Sequence, residues 1–152
     1  MSSSNHLTDA DTLASPLAPV LPSGGSLSWG KLEGDSLALA LARAAQDYDG
    51  LLVVVTPDMQ SADLLHDQLG FFLDGSATTR HVLPDWETLP YDVFSPHQDI
   101  ISGRLSTLYH LTAIRHGVLI IPVSTLMQRL APREFLYRNS LILQKGERLE
   151  LE

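Results

Sequence analysis

Leu51-Leu52-Val53-Val54-Val55-Thr56, closed by Pro57-Asp58, is the stretch whose reading decides the fold. Three successive β-branched valines inside an apolar run of strand length give the pattern of a β-strand covered on both faces, as in a parallel sheet. A second run, Gly117 to Val123 (GVLIIPV), repeats the pattern. Its Pro122 marks the strand's end, because proline has no N–H to give a central ladder. Parallel strands need long crossovers, and the intervening sequence supplies helical periods.

Asp58 is placed to cap a helix over Met59 to Phe71, with Leu64, Leu65, Leu69 and Phe72 on its inner side. Upstream, Ser36 to Tyr48 is dense in Ala and Leu, strong helix formers, with Asp35 or Ser36 as N-cap and Gly50 as a left-handed stop. Gly75 to Thr79 reads as a turn and Arg80 to Leu83 as a short strand. Ser102 to His116 reads as a helix with Leu105, Leu108 and Leu111 on its apolar face, ended by Gly117. Ser124 or Thr125 should cap a short helix through Leu130, Pro132 should open another, and Ser140 to Gln144 should begin a strand. Helices alternating with strands predict an α/β domain with a mainly parallel sheet and flanking helices.

Between the two halves lies Leu83 to Tyr109, LPDWETLPYDVFSPHQDIISGRLSTLY. Pro84, Pro90 and Pro96 hold residues 84 to 97 to short extended pieces and turns. Trp86, Tyr91 and Phe94 bring aromatic surface that a solvated linker does not carry, so the segment should dock on the domain with Trp86 as its anchor.

Composition bounds the function. The chain of 152 residues is 44% apolar, carries a formal charge of -8 and has no cysteine. That length fits one domain, and the hydrophobic runs are too short to cross a membrane. Without cysteine there is no disulfide, thiolate metal site or cysteine nucleophile. The N-terminus lacks the charged and apolar regions of a signal peptide, which makes the cytoplasm the expected compartment. An acidic balance argues against a broad grip on DNA and favours protein partners. Residues 1–26, rich in Ser, Pro, Gly and Ala, read as a disordered arm. His81, His97, His110 and His116 lack metal-ligand spacing. Arg104, Arg115, Arg129, Arg133 and Arg138 are scattered, and the local excess of positive charge from Arg129 through Arg133, Arg138, Lys145 and Arg148 reads as a solvated face.

Two short motifs invite catalytic readings. Lys31-Leu32-Glu33-Gly34-Asp35-Ser36 sits where a phosphate-binding loop would open a helix, but it keeps one glycine, has no lysine after it, and sets two carboxylates where phosphate oxygens would approach. Gly34, Asp35 and Ser36 thus read as a helix N-terminus capped by its own Asp and Ser, at most a degenerate P-loop position, with no cofactor expected in this stretch. Gly34-Asp35-Ser36-Leu37 also spells the nucleophile block of GDSL-type esterases, with Asp63 and His66 as an Asp-x-x-His. A small serine hydrolase using Ser36 is therefore the alternative reading, although a polar segment precedes the serine where that family has a buried strand.

The central stretch carries a resemblance. Asp85-Trp86-Glu87-Thr88-Leu89-Pro90-Tyr91-Asp92, Phe94-Ser95-Pro96-His97-Gln98-Asp99 and Arg104-Leu105-Ser106-Thr107-Leu108-Tyr109 resemble the N-terminal region of the bacterial transcription-repair coupling factors, the Mfd family. The likeness continues in Pro57-Asp58-Met59-Gln60-Ser61-Ala62, in Gly117 to Val123, and in Thr125 to Arg129, and it covers about residues 27 to 152. It implies a degenerate RecA-like domain similar to the first domain of UvrB over residues 27–138. It also implies that residues 139–152 open an inserted module that binds UvrA. On that resemblance this stretch is a non-catalytic scaffold. The ATP- and Mg-dependent DNA translocase motor and the RNA polymerase contacts would lie in downstream domains.

Overall fold

A computed structural model describes residues 28–86, 88 and 95–139. Within them the order is α1 (Ser36–Asp47), β1 (Leu51–Thr56), α2 (Met59–Phe72), β2 (Thr79–Val82), α3 (Gln98–Leu111), β3 (Gly117–Pro122), α4 (Val123–Leu126) and α5 (Arg133–Asn139). The three strands form one parallel sheet in the order β1-β3-β2. The α/β class and the parallel sheet expected from the two apolar runs are what the chain adopts. The strand expected from Ser140 and the aromatic pair Tyr91 and Phe94 lie outside the described residues.

Alternation along β3 splits the core into two layers. Val118 and Ile120 pack with Ala38, Leu41, Ala45, Leu65 and Leu69 of α1 and α2. Leu119 and Ile121 pack on the other face with Leu83, and Leu108 and Leu111 of α3 close over them. Alanines at 38, 40, 42, 44 and 45 of α1 are all buried, so this helix presses closely on its neighbours through small side chains.

β3 is buried along its whole length, as its sequence predicts. β1 is not. It forms a sheet edge, and Val53 and Val55 remain 50% and 49% exposed. The same apolar run that reads as doubly covered has one covered face here, formed by Leu52 and Val54 against α1 and α2. On the other face Leu51 packs against the cluster of Leu83, Leu119 and Ile121.

Helix ends depart from expectation in informative ways. Asp58 does cap α2, its Oδ1 accepting from the Ser61 N–H at 2.7 Å. Asp35 occupies the N-cap of α1 without capping it, because its carboxylate accepts instead from Gln68 Nε2 at 2.5 Å. The Ser36 hydroxyl donates to the Glu33 carbonyl at 2.7 Å. Gly50 is not left-handed, and α1 stops at Tyr48, which turns extended. Leu64, read as an inner residue of α2, is exposed. α3 begins four residues earlier than expected, capped by the His97 ring accepting from the Asp99 N–H at 3.3 Å, and it ends at Leu111. Ser124 and Thr125 lie inside α4 after an N-cap at Pro122, and that helix stops at Leu126.

Among the described residues Gly34, Gly75 and Gly117 take positive φ, and of these Gly117 alone also lacks room for a side chain. It takes φ +146°, and a Cβ there would meet the Thr79 carbonyl oxygen at 2.6 Å, so β2 and β3 can pair at this register only without a side chain.

Candidate functional site

The carboxyl ends of parallel strands are where α/β domains place their working residues. At the ends of β2 and β3 the chain builds one polar cluster. Leu83 continues β2 by donating to the Ile120 carbonyl at 3.0 Å, which delivers Pro84, Asp85 and Trp86 to the top of the sheet. Asp85 then gathers three donors. Ser124 Oγ donates at 2.6 Å and Gln128 Nε2 at 2.7 Å, while the Trp86 N–H donates to the same carboxylate at 2.8 Å.

Arg104 closes the cluster from α3. It is 2% exposed, donates through Nη1 to the Pro84 carbonyl, and lies over the Trp86 ring at 4.3 Å from the centroid. Its charge is therefore met by an aromatic face and a carbonyl, with Asp85 adding a favourable field. Burial lowers the Arg104 pKa, and Asp85 opposes that shift. For Asp85, burial pushes the carboxyl up, but Ser124, Gln128, the Trp86 N–H and Arg104 together outweigh it and hold the group below its ordinary value. Asp85 is thus an acceptor in every contact it makes.

The signature residues divide around this cluster. Asp85, Trp86 and Arg104 come together in it. Trp86 is half-buried under the guanidinium and does not belong to either apolar core, so the anchors are Leu83 and Arg104, both at 2% exposure. Pro96 is half-buried, His97 caps α3, and Gln98 and Asp99 open that helix on its exposed side. Glu87, Pro90, Tyr91 and Phe94 lie outside the described residues. Ser124 and Gln128 were not legible as partners of Asp85, although their i, i+4 spacing after β3 is a signal of a shared face. Arg104 shares the i, i+4, i+7 row with Leu108 and Leu111, which is why a charged residue ends up inside.

The loop at Gly34, Asp35 and Ser36 lies beside a different feature, an open cleft of about 450 Å³ between the starts of α1 and α2 and the end of β1. Gly34, Leu37, Val55, Pro57, Leu64 and Gln68 are among its walls, and among the described residues no lysine or arginine lines it. Asp35 is engaged by Gln68 at its rim. The hydrolase constellation does not assemble: the Ser36 hydroxyl is spent on Glu33, His66 lies 3.7 Å from Asp67 instead of pairing with Asp63, and among the described residues no hydrogen bond joins Ser36 to His66. Also among the described residues, no group of three or more His, Cys, Asp or Glu could hold a metal ion, and no helix is long and apolar enough to cross a membrane.

α5 packs on α3. The Tyr137 ring lies 5.3 Å from that of Tyr109, its hydroxyl is 2.6 Å from Thr112 Oγ1, and Arg133 stands 5.6 Å over the ring.

Comparison with known proteins supplies the family. The transcription-repair-coupling factor of Escherichia coli (strain K12) is 52% identical over 120 residues, a match that takes in 79% of this chain and 10% of that protein. The chain belongs to the transcription-repair-coupling factor family. The Haemophilus influenzae factor is 44% identical over 137 residues, covering 90% of the chain and 12% of the relative. The Myxococcus xanthus factor is 36% identical over 106 residues. The chain thus spans about a tenth of the length of the family members it matches. No family model matches it.

Proposed function

We propose that the chain is the UvrB-like, non-catalytic scaffold of a cytoplasmic factor for transcription-coupled nucleotide excision repair. The observation that carries this reading is the 52% identity over most of the chain to a protein named for coupling transcription and repair. Residues 27–138 form a degenerate RecA-like domain on this reading, preceded by the arm 1–26. Residues 139–152 open the inserted module that recruits UvrA to stalled RNA polymerase at DNA damage. The cleft beside Gly34, Asp35 and Ser36 supports the loss of nucleotide binding, since its described walls offer a triphosphate no cation. The open edge of β1, with Val53 and Val55 exposed, supports a scaffold that other parts of a longer protein complete. ATP, Mg and DNA translocation belong to that remainder.

Excising residues 27–139 from the full-length factor tests the proposal. The expected variant keeps its ATPase activity and its release of stalled polymerase but loses preferential repair of the transcribed strand. Retained repair, or loss of the ATPase together with repair when the downstream domains remain folded by circular dichroism, overturns it.

A further inference from the structure

We propose that Asp85 and Arg104 form a latch on residues 123–139, an arm that opens as a unit while the sheet, α1 and α2 stay folded. The inference rests on geometry alone and does not depend on the functional reading above.

Besides the packing of α4 on the ends of β1 and β3, where Thr125 is buried, the arm has two polar and aromatic ties, and both lead back to residues 84–86. At its start, Ser124 and Gln128 donate to Asp85 at 2.6 and 2.7 Å. At its far end, α5 rests on the last turns of α3 through Tyr137, Tyr109 and Thr112. α3 in turn is tied to the 84–86 segment by the Arg104 bond to the Pro84 carbonyl and the stack on Trp86. Little apolar burial adds to these ties. Leu136 is the buried large apolar residue of α5, whereas Leu126, Met127, Leu130, Phe135 and Tyr137 are exposed.

The closed latch is also incompletely satisfied. Among the described residues five buried side-chain polar atoms lack a partner, and three of them belong here: Arg104 Nε, Thr125 Oγ1 and Gln128 Oε1. Swinging the arm away would let water reach such atoms, which lowers the free energy of opening relative to unfolding the whole domain. β3, buried throughout and paired on both edges, has no such route. The arm leads directly into residue 140, so its attitude sets the direction in which the chain continues.

Native-state hydrogen exchange on the 152-residue chain, followed against denaturant, tests the latch. The amides of Met127, Gln128 and Leu136, bonded to Val123, Thr125 and Pro132, report the arm, and those of Val118 to Ile121 report the sheet. The arm should exchange through a shared opening with weaker denaturant dependence than the sheet. Asp85→Asn should speed exchange at Leu136, which does not touch Asp85, by roughly tenfold or more while β3 is unchanged. A single common opening for both regions, or an Asp85→Asn effect that raises all amides together, overturns the proposal. If that variant fails to fold, Gln128→Ala, which removes one donor, must give the same local pattern, and its absence is equally fatal.

Discussion

The Arg104 guanidinium carbon sits 4.3 Å from the Trp86 ring centroid while the side chain bonds the Pro84 carbonyl, so a buried charge is sheltered by the residue that the segment 84–86 presents to it. Trp86 is half-buried, between a core anchor and an exposed docking residue. Trp86→Ala should therefore cost about 2 kcal/mol, the combined loss of a desolvated cation–π contact and of packing. Arg104→Lys keeps the charge but loses the plane and the fork, and it should destabilise by about the same amount. Denaturant melts of both variants measure this, and values within about 0.5 kcal/mol of the parent would show that the stack is incidental.

Gly117 offers a sharper test of strand pairing. A methyl group at this position meets the Thr79 carbonyl oxygen at 2.6 Å on a backbone that L-residues rarely adopt. Gly117→Ala should cost at least about 2 kcal/mol and loosen β2 first, since among the described residues β2 pairs with β3 alone. Gly75→Ala is the control, a left-handed turn glycine with open space around it, and strain alone should make it the milder change.

The parts of the fold that sequence makes legible are those set by local pattern. Two apolar runs give β1 and β3, Asp58 and its Ser61 partner give the start of α2, and Pro122 gives the end of β3. What sequence does not show is set by distant neighbours. Nothing in LLVVVT says that only one face of the strand is covered, so the exposure of Val53 and Val55 had to come from the packing of the helices on the sheet. Asp35 looks like a cap until Gln68, 33 residues away, takes its carboxylate. The site is split the same way. Asp85, Trp86 and Arg104 stand out in the signature stretch, but Ser124 and Gln128 reach Asp85 across about 40 residues, a separation at which no periodicity operates.

His81 gives the chain a pH dependence. Burial lowers its pKa below the ordinary 6.5, and His110 and His66 add repulsion, while its Nε2 is buried without a partner. In the unfolded chain the ring titrates near 6.5, so as pH falls the unfolded state binds the proton first and is favoured. The contribution of the neutral ring is full above that value and is lost as pH falls through the lower folded-state pKa. Between pH 7.5 and 5.5, well above the range of Asp58 and Asp85, whose pKa values are both lowered, the parent should lose more melting temperature than His81→Gln. Equal losses would mean that another group governs this window.

Val53 on the open edge should behave as a surface residue of this chain. Val53→Lys places a charge on the uncovered face of β1, the outer strand among the described residues, which opposes edge-to-edge association and leaves the face against α1 and α2 untouched. Stability should change by less than about 0.5 kcal/mol, while self-association measured by sedimentation falls. A large destabilisation would show that the exposed valines contribute to the core.

ATP provides the last prediction, because the loop at Gly34, Asp35 and Ser36 occupies the start of a helix where phosphate would bind. A ligand present at a hundredfold its dissociation constant stabilises the folded state by about 2.7 kcal/mol, a readily measured rise in melting temperature. Here the described walls of the adjoining cleft are mainly apolar side chains without a lysine or arginine, and Asp35 and Glu33 stand exposed at the loop. Their charges repel a triphosphate, and the amides at one helix start do not compensate for the missing lysine. Millimolar Mg-ATP should leave the melting temperature of the 152-residue chain unchanged. A clear rise that disappears with Gly34→Val would show that the loop still binds nucleotide and would remove the support that the cleft gives to a non-catalytic scaffold.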